Sequence, residues 1–585
     1  MIKIKTKGNK RKNKTISNEK AIQIAYNILT VFCIVMFCLA ITPKSFQNDT
    51  FYTIKIGQLI RNNGIDYLDH FSWIEGLGYT YPHWLYDVIT SLIFDYLGGY
   101  AGIYVVTMIL SAILGLSLYK ANKTISKNEL ISFFMTLAQL FIVRVYIAAR
   151  AQLVTFILFV LEIIFIERFL QTGHKKYGIG LIILPILIAN LHAAVFPFYF
   201  VLYLPYLGEY IITLLIDAHL IHNVKRFMIN ISIKYYTKKL KKASKSQAEN
   251  YQKKLATCNK KLNIEQESFN KFLIKENDRL KEPYKIRIDR NKNNKKLLLI
   301  MIICAFTGLL TPLKGIPYTY TYKTSLGNSM SLINEHLPLT LIENKPIMVY
   351  MFGTLCLLIF TKVKIRLKDL FMLFGLMLLA FMTRRQTSML ALFGGMITTK
   401  IISDLIEMYD KNGTKEFINY LTTIFGEIFL ILFIFLISYY LYKDNIGDDY
   451  INKKSYPVEA TTWIKENLDY KNIKLFNDYN YGSYLLLNDI PVFIDSRCDL
   501  YTPEFNGTYN KEKKKYEGKD IFNDYINTSN LSTYYENTFK KYGVTHVITK
   551  ANSKLNMLIS RDKNYELLYK DDNFKIYKRN VIDED

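Results

Sequence analysis

Long apolar runs alternate with shorter polar ones along most of this chain, and many of the apolar runs approach bilayer length. The first covers residues 21–42. Five follow at about 101–119, 130–145, 151–166, 177–189 and 195–216. Five more lie at about 296–310, 346–360, 370–382, 388–402 and 424–441. About 20 apolar residues at 1.5 Å rise cross the hydrocarbon of a bilayer. The pattern therefore predicts an all-α polytopic bundle of about eleven membrane helices over residues 21–442. From residue 443 the pattern becomes that of a soluble chain. Helices are expected at 461–468 and 535–542, and strands at 472–476, 491–495 and 544–549. A terminal hairpin is expected from 566–568 and 575–578, around Asp571-Asp572-Asn573. This alternation predicts a small α/β domain over 443–585. It carries no Walker, Rossmann or nucleophile-elbow motif.

Charge orients the bundle. Basic residues concentrate in 1–20, 120–127, 168–176, 223–296 and 361–368. Counting the runs alternately puts all of these on one side, which the positive-inside rule makes the cytoplasm. An odd number of spans then puts 443–585 outside. Residues 1–20 and the first run resemble a signal sequence. That run exceeds the usual 7–15 residues of a cleaved one, so an uncleaved anchor is expected. The insertion 217–296 holds roughly twenty Lys and Arg against about eight acids and, with the N-terminus, accounts for most of the net +25. It reads as a helical, partly amphipathic hairpin near anionic lipid; basic residues alone do not make a nucleic-acid site. The six cysteines form no CxxC pair, so neither a disulfide framework nor a zinc ribbon is indicated.

One polar stretch stands out, residues 48–90 in the expected external loop 43–99. It carries Asp49, Asp66, Asp69, His70, Glu75, His83 and Asp87 among Tyr and Trp residues. The same side collects Arg144 and Arg150 between the third and fourth runs, and His192 after the fifth. It also holds Lys314, Asn334, Glu335 and His336 in the loop 311–345, and Arg384-Arg385-Gln386 after the ninth run. Charges at membrane depth are costly and tend to face an internal cavity. Each also has an ordinary reading: an Arg at a helix end can snorkel to the headgroups, and Asp49 can cap the helix it opens. His70, His83, His192 and His336 could bind a metal, but their spacing is not that of a ligand motif.

Several of these residues fall in a pattern that resembles bacterial membrane glycosyltransferases of the GT-C type. In the first loop they are Asp49-x-Phe-Tyr, Gly57, Asn63-Gly64, Asp69-His70-Phe71-Ser72 and His83-Trp84-Leu85-x-Asp87. Further on come Arg150-Ala151-Gln152, Ala189-Asn190-Leu191-His192, Asn334-Glu335-His336-Leu337-Pro338 and Arg384-Arg385. The C-terminal part adds Phe476-Asn477-Asp478-Tyr479-x-Tyr481-Gly482-x-Tyr484-Leu485 and Val492-Phe493-Ile494-Asp495-x-Arg497. The resemblance covers most of the chain except the basic insertion, and is distant from protein O-mannosyltransferases and the aminoarabinose transferase of lipid A.

The resemblance implies transfer, with inversion, of a sugar from a polyprenyl-phosphate-linked donor to an extracytoplasmic acceptor, whether envelope glycan, lipid or protein. Asp49 matches the acid that the class carries just after its first span and is the expected base, with Asp69 and His70 as second candidates. Arg150, Arg384, Arg385 and Arg144 are the expected contacts to the donor phosphate, for which forked guanidinium hydrogen bonds are suited. His83, His192, Glu335 and His336 are the expected sugar or acceptor contacts. The resemblance fixes no cofactor, although a divalent metal is compatible with the class. Three departures bear on that point. Thr50 stands where many members carry a second acid, Arg144 and Arg150 occupy a turn that often carries an acid, and His83 precedes Trp84-Leu85 where an acid is usual. The alternative is a non-catalytic multi-pass protein, either a transporter or an envelope-assembly scaffold. A transporter would show internal repeats or paired broken helices at mid-span, and neither is visible.

Overall fold

Two layers of structure share one wall, a helical bundle and a mixed α/β layer set across its end. The computed structural model describes residues 5–281, 285–327, 333–410, 412–443 and 448–580. Residues 1–4 of the expected basic N-terminus lie outside the described residues. So do 282–284 of the insertion, 328–332 of the 311–345 loop, 411, 444–447 and 581–585.

The first helix, α1 (Lys5–Ile41), is apolar from Glu19 onward. Two helices outside the bundle follow, α2 (Asn48–Asn63) and α3 (Trp84–Tyr96). They pack so closely that a Cβ on Gly57 would lie 2.0 Å from the Asp87 carbonyl oxygen. The bundle continues with α4 (Tyr100–Ser126), α5 (Glu129–Val143), α6 (Ala151–Thr172), α7 (Lys175–Leu191) and α8 (Phe196–Asp217). The insertion folds as a helical hairpin of α9 (Leu220–Leu240) and α10 (Lys245–Lys281). Then come β1 (Ile286–Arg287), α11 (Asn294–Phe306), α12 (Ile316–Leu326), α13 (Lys345–Phe360), β2 (Ile365–Arg366) and α14 (Leu367–Met382). Two more helices close the bundle, α15 (Arg384–Tyr409), with a π-helical turn at Leu390–Gly394, and α16 (Ile424–Tyr442).

This is a multi-pass membrane protein. Among the described residues, six helical stretches are long and apolar enough to cross a bilayer: Glu19–Ile41, Tyr100–Ser126, Glu129–Tyr146, Ala193–Asp217, Arg384–Tyr409 and Ile424–Tyr442. The other expected spans fall short of that measure for stated reasons. Helices α7, α11, α13 and α14 have 17, 13, 16 and 16 residues. Helix α6 is long enough at 22 residues but carries Glu162, Glu167 and Arg168. One set of these charges is neutralised in place. Glu167 accepts from Tyr206 at 3.0 Å and pairs with Lys368 and, at 3.6 Å, with Arg366. This clasp joins the last turns of α6, the middle of α8 and the start of α14.

The C-terminal part contains α17 (Val458–Asn467), β3 (Leu475–Phe476), α18 (Tyr479–Leu487), β4 (Thr508–Asn510), β5 (Lys515–Glu517), α19 (Ile521–Ser529) and α20 (Tyr535–Tyr542). Strands β6 (His546–Lys550), β7 (Tyr565–Lys570) and β8 (Phe574–Arg579) complete a four-stranded sheet in the order β3-β6-β8-β7. Its first pair is parallel and the other two antiparallel. The strand expected at 491–495 does not form. Val492 exchanges backbone hydrogen bonds with Phe71 (3.1 Å) and Trp73 (3.2 Å), and Phe493 N–H donates to the Asn477 side chain.

That exchange joins the layers. Residues of α2 and of the loop 71–81 sit in one apolar core with the C-terminal part. Phe51 packs edge-on against Tyr456 and Tyr484, with ring centroids at 4.8 and 5.3 Å. Trp73 Nε1 donates to the Leu475 carbonyl at 2.9 Å. A fully buried aromatic ring of this kind contributes roughly 2–3 kcal/mol.

Candidate active site

Where the bundle meets the α/β layer lies a cavity of about 790 Å³. Its walls come from the start of α2, the loop before α3, the starts of α6 and α8, α12, the junction of α14 and α15, and residues 479–526. The chain places charge there through helix ends. Asp49 stands in the first turn of α2, where the helix dipole favours a carboxylate. Arg150 precedes the first residue of α6. Thr50, in the position of the absent second acid, donates to the Ala149 carbonyl at 3.1 Å and so ties α2 to the turn that bears Arg150.

The resulting contacts are specific. Arg150 Nη2 lies 2.5 Å from Asp49 Oδ2, and its Nη1 lies 3.7 Å from Glu335 Oε1. Burial opposes charge on Arg150, but Asp49 and Glu335 outweigh it and hold the guanidinium more firmly protonated than usual. Arg385 also lines the cavity. Among the described residues, no side chain hydrogen-bonds to or pairs with its guanidinium. Both ring nitrogens of His83 are engaged, Nδ1 with Asp87 at 3.1 Å and Nε2 with the Tyr52 hydroxyl at 3.2 Å. Burial pushes the Asp87 carboxyl above its ordinary range, and His83 opposes this. His192 Nδ1 meets Thr155 Oγ1 at 2.8 Å, and the two imidazoles stand 5.9 Å apart. His336 faces the cavity with its pKa pushed down by burial and then by Arg385. Part of the lining is apolar, with Phe156, Phe159, Phe198, Leu379 and Met389.

Six of the expected site residues thus line one space: Asp49, Arg150, His83, His192, Glu335 and His336, joined by Arg385 as the seventh. The remaining four do not line it. Arg384 turns away to Glu343, 3.1 Å distant, and to the Pro338 carbonyl. Arg144 folds back over the Phe141 ring, 3.9 Å from its centroid, as a helix-end cation does. His70 is paired with Asp66 at 2.6 Å on the outer surface. Asp69 is committed to Arg497 at 2.7 Å, within a buried network in which Arg497 also pairs with Asp495 at 2.6 Å and Tyr501 donates to Asp495.

Two wall residues escaped the sequence reading, Asp499 and Tyr320. The Tyr320 hydroxyl donates to Asp499. Burial pushes the Asp499 carboxyl up, against the pull of Tyr320 and Arg385. The only signal was the spacing Asp495-x-Arg497-x-Asp499 beside a motif already noted. A divalent metal does not fit the residues present. Asp49 and Glu335 already share Arg150, His83 has no free ring nitrogen, and among the described residues no three His, Cys, Asp or Glu side chains gather to hold an ion.

No family model and no curated protein matches this sequence. Solved structures do. Archaeal oligosaccharyltransferase AglB from Archaeoglobus fulgidus, in complex with an inhibitory peptide and a dolichol-phosphate, matches with a TM-score of 0.50 at 13% identity, over 95% of this chain and 74% of that one. The Archaeoglobus fulgidus oligosaccharyltransferase tethered with an acceptor peptide containing the NVT sequon matches with a TM-score of 0.49 at 13% identity, over 90% and 69% of the two chains. The fold of this chain is similar to that of AglB.

Proposed function

We propose that this chain is a membrane glycosyltransferase that moves a sugar from a polyprenyl-phosphate-linked donor to an acceptor outside the cell, with inversion. The observation that carries the reading is one juxtaposition. Arg385, unpaired among the described residues, lines one cavity with the Asp49–Arg150 pair and with the apolar side chains of Phe156, Phe159, Phe198, Leu379 and Met389. A lipid-linked donor has the matching shape, an apolar chain joined to a sugar through phosphate. The solved structure with a dolichol-phosphate belongs to AglB, and the likeness of fold supports seeking a lipid phosphate here.

In this reading the acceptor hydroxyl gives its proton to the Asp49 carboxylate as its oxygen attacks the anomeric carbon. The bond from that carbon to the phosphate oxygen breaks, and Arg385 takes up the charge on the departing phosphate. Polyprenyl phosphate is a good leaving group, so no strong general acid is needed. Arg150 holds the Asp49 carboxylate in one orientation. His83, fixed by Asp87 and Tyr52, and His192 face the sugar. Asp499 and Tyr320 form the opposite wall, where a polar acceptor would be held. The same reading puts the cavity outside and the α9–α10 hairpin in the cytoplasm, as the distribution of lysine suggests.

The test is transfer from radiolabelled polyprenyl-phosphate sugars by the purified protein, beside an Asp49→Asn variant. Comparing envelope glycans of knockout and parent strains by mass then identifies the acceptor. Absence of transfer with every donor, and no change in those glycans, would leave a scaffold as the better reading.

A further inference from the structure

The α9–α10 hairpin leaves the bundle at the end opposite the cavity. Helix α8 starts beside the cavity, which Phe198 lines, and ends at Asp217. Two residues on, His219 adopts a left-handed backbone (φ 46°) that redirects the chain into α9. The hairpin is closed by one face of α9. His222 meets Glu265 at 2.6 Å, and Arg226 lies 4.1 Å from the centroid of the Phe269 ring.

The opposite face of α9 is also apolar, and no described residue covers it. Ile221, Val224, Phe227, Met228, Ile231 and Tyr235 recur every three or four residues, and their exposure runs from 48% at Ile231 to 70% at Ile221. At about 3.6 residues per turn they make one stripe, about 21 Å long. The same geometry puts Lys225 and Lys239 along one edge of the stripe, and Lys234 and Lys238 along the other. No acidic residue occurs anywhere in α9.

A contiguous apolar stripe of this kind marks an interaction surface. Two observations choose its partner. The stripe continues the exposed apolar surface of the last turns of α8, where Ile211, Leu214 and Leu215 are about half exposed, so it begins at the level where the membrane ends. Its rims carry lysine and no acid, so a second copy of α9 would bring like charges together, whereas anionic headgroups would neutralise them. We propose that α9 lies in the surface of the anionic leaflet at this end of the bundle, with its stripe at the boundary of headgroups and acyl chains and its lysines on lipid phosphates. This stands apart from the catalytic reading, since it uses no residue of the cavity.

The experiment uses the full chain in proteoliposomes, with an environment-sensitive fluorophore on Met228→Cys and, as a control, on Glu249→Cys of α10. The vesicles contain either phosphatidylcholine alone or equal parts phosphatidylcholine and phosphatidylglycerol, each doped with lipid bearing a nitroxide high on its acyl chain. The Met228 probe should be blue-shifted and quenched in the anionic vesicles, and the Glu249 probe should not. Quenching should fall in phosphatidylcholine, and also in anionic vesicles when Lys234, Lys238 and Lys239 are all changed to Gln, a variant that keeps the stripe and leaves the His222 and Lys225 contacts to Glu265 of α10 in place. A Met228 probe that reports water in both kinds of vesicle overturns the proposal. So does efficient Met228→Cys disulfide formation between copies, which would make the stripe a dimer face.

Discussion

Consider Asp49→Asn. The substitution keeps the size of the side chain and removes its charge. Arg150 then retains Glu335, 3.7 Å away on a half-exposed side chain, and a hydrogen bond to Gln47 at 3.3 Å. Asp49 and Arg150 are 21% and 23% exposed, so their 2.5 Å contact is partly buried. Losing one partner of a fully buried pair costs about 3–5 kcal/mol, and of an exposed pair about 0–1 kcal/mol. This contact falls between, at about 1–2 kcal/mol. For a folded protein of this size that is a shift of a few degrees in Tm, not unfolding. Catalysis should suffer far more, because a positioned base supplies about 10²–10⁴-fold. The added net positive charge should leave donor binding unchanged or tighter. Expected, then, is a small drop in Tm, kcat lower by at least about 100-fold and a donor KM no higher than in the parent. A second variant separates charge from structure. Asp49→Asn combined with Arg150→Gln removes both charges, so it should recover part of the lost Tm and none of the lost kcat. Transfer by Asp49→Asn within about threefold of the parent would refute Asp49 as the base and turn attention to Asp499.

Arg385→Gln should raise the donor KM or lower kcat by about 100-fold with little change in Tm, since among the described residues Arg385 has no partner to lose; Arg384→Gln, which removes a surface pair with Glu343 and long hydrogen bonds to the Pro338 carbonyl and the Thr340 hydroxyl, should leave both nearly unchanged. Arg497→Met strands Asp69 and Asp495 in the interior, so it should cost about 3–5 kcal/mol and show as low yield and an early thermal transition. Chelators should leave transfer unchanged, because Arg150 already supplies the positive charge between Asp49 and Glu335; loss of activity restored by a specific divalent ion would contradict this. Gly57→Ala should destabilise strongly, since its methyl would meet the Asp87 carbonyl at 2.0 Å, and the thermal transition should fall.

The apolar periodicity made the bundle legible, because burial in lipid imposes the same demand on every turn of a helix. The gathering of Asp49, Arg150, Glu335 and His83 was legible for a related reason, since charged residues at span ends have few other places to go. What could not be read was direction at a turn. Arg384 and Arg385 are neighbours in a single 3₁₀ turn, where one residue rotates the side chain by about 120°. No pattern in the sequence says which of them enters the cavity. Distance hid the rest. Val492 lies in a run that reads as a strand, yet its hydrogen-bond partners are Phe71 and Trp73 in another part of the chain. Asp499 and Tyr320 come together across 179 positions.

The common core of the first loop and the C-terminal layer also sets an order of events in the cell. Trp73 and its acceptor Leu475 are 402 residues apart. At about 5–20 residues per second the ribosome needs roughly 20–80 s to make that interval. During that time α2 and α3 are already made, but Phe51 lacks Tyr456 and Tyr484 and Trp73 lacks its acceptor. The wall that residues 479–526 supply forms only after they are made, so a truncated product holds Asp49, Arg150 and Arg385 in an incomplete cavity. Supplying residues 448–585 as a separate chain would test whether timing or covalent linkage is what matters.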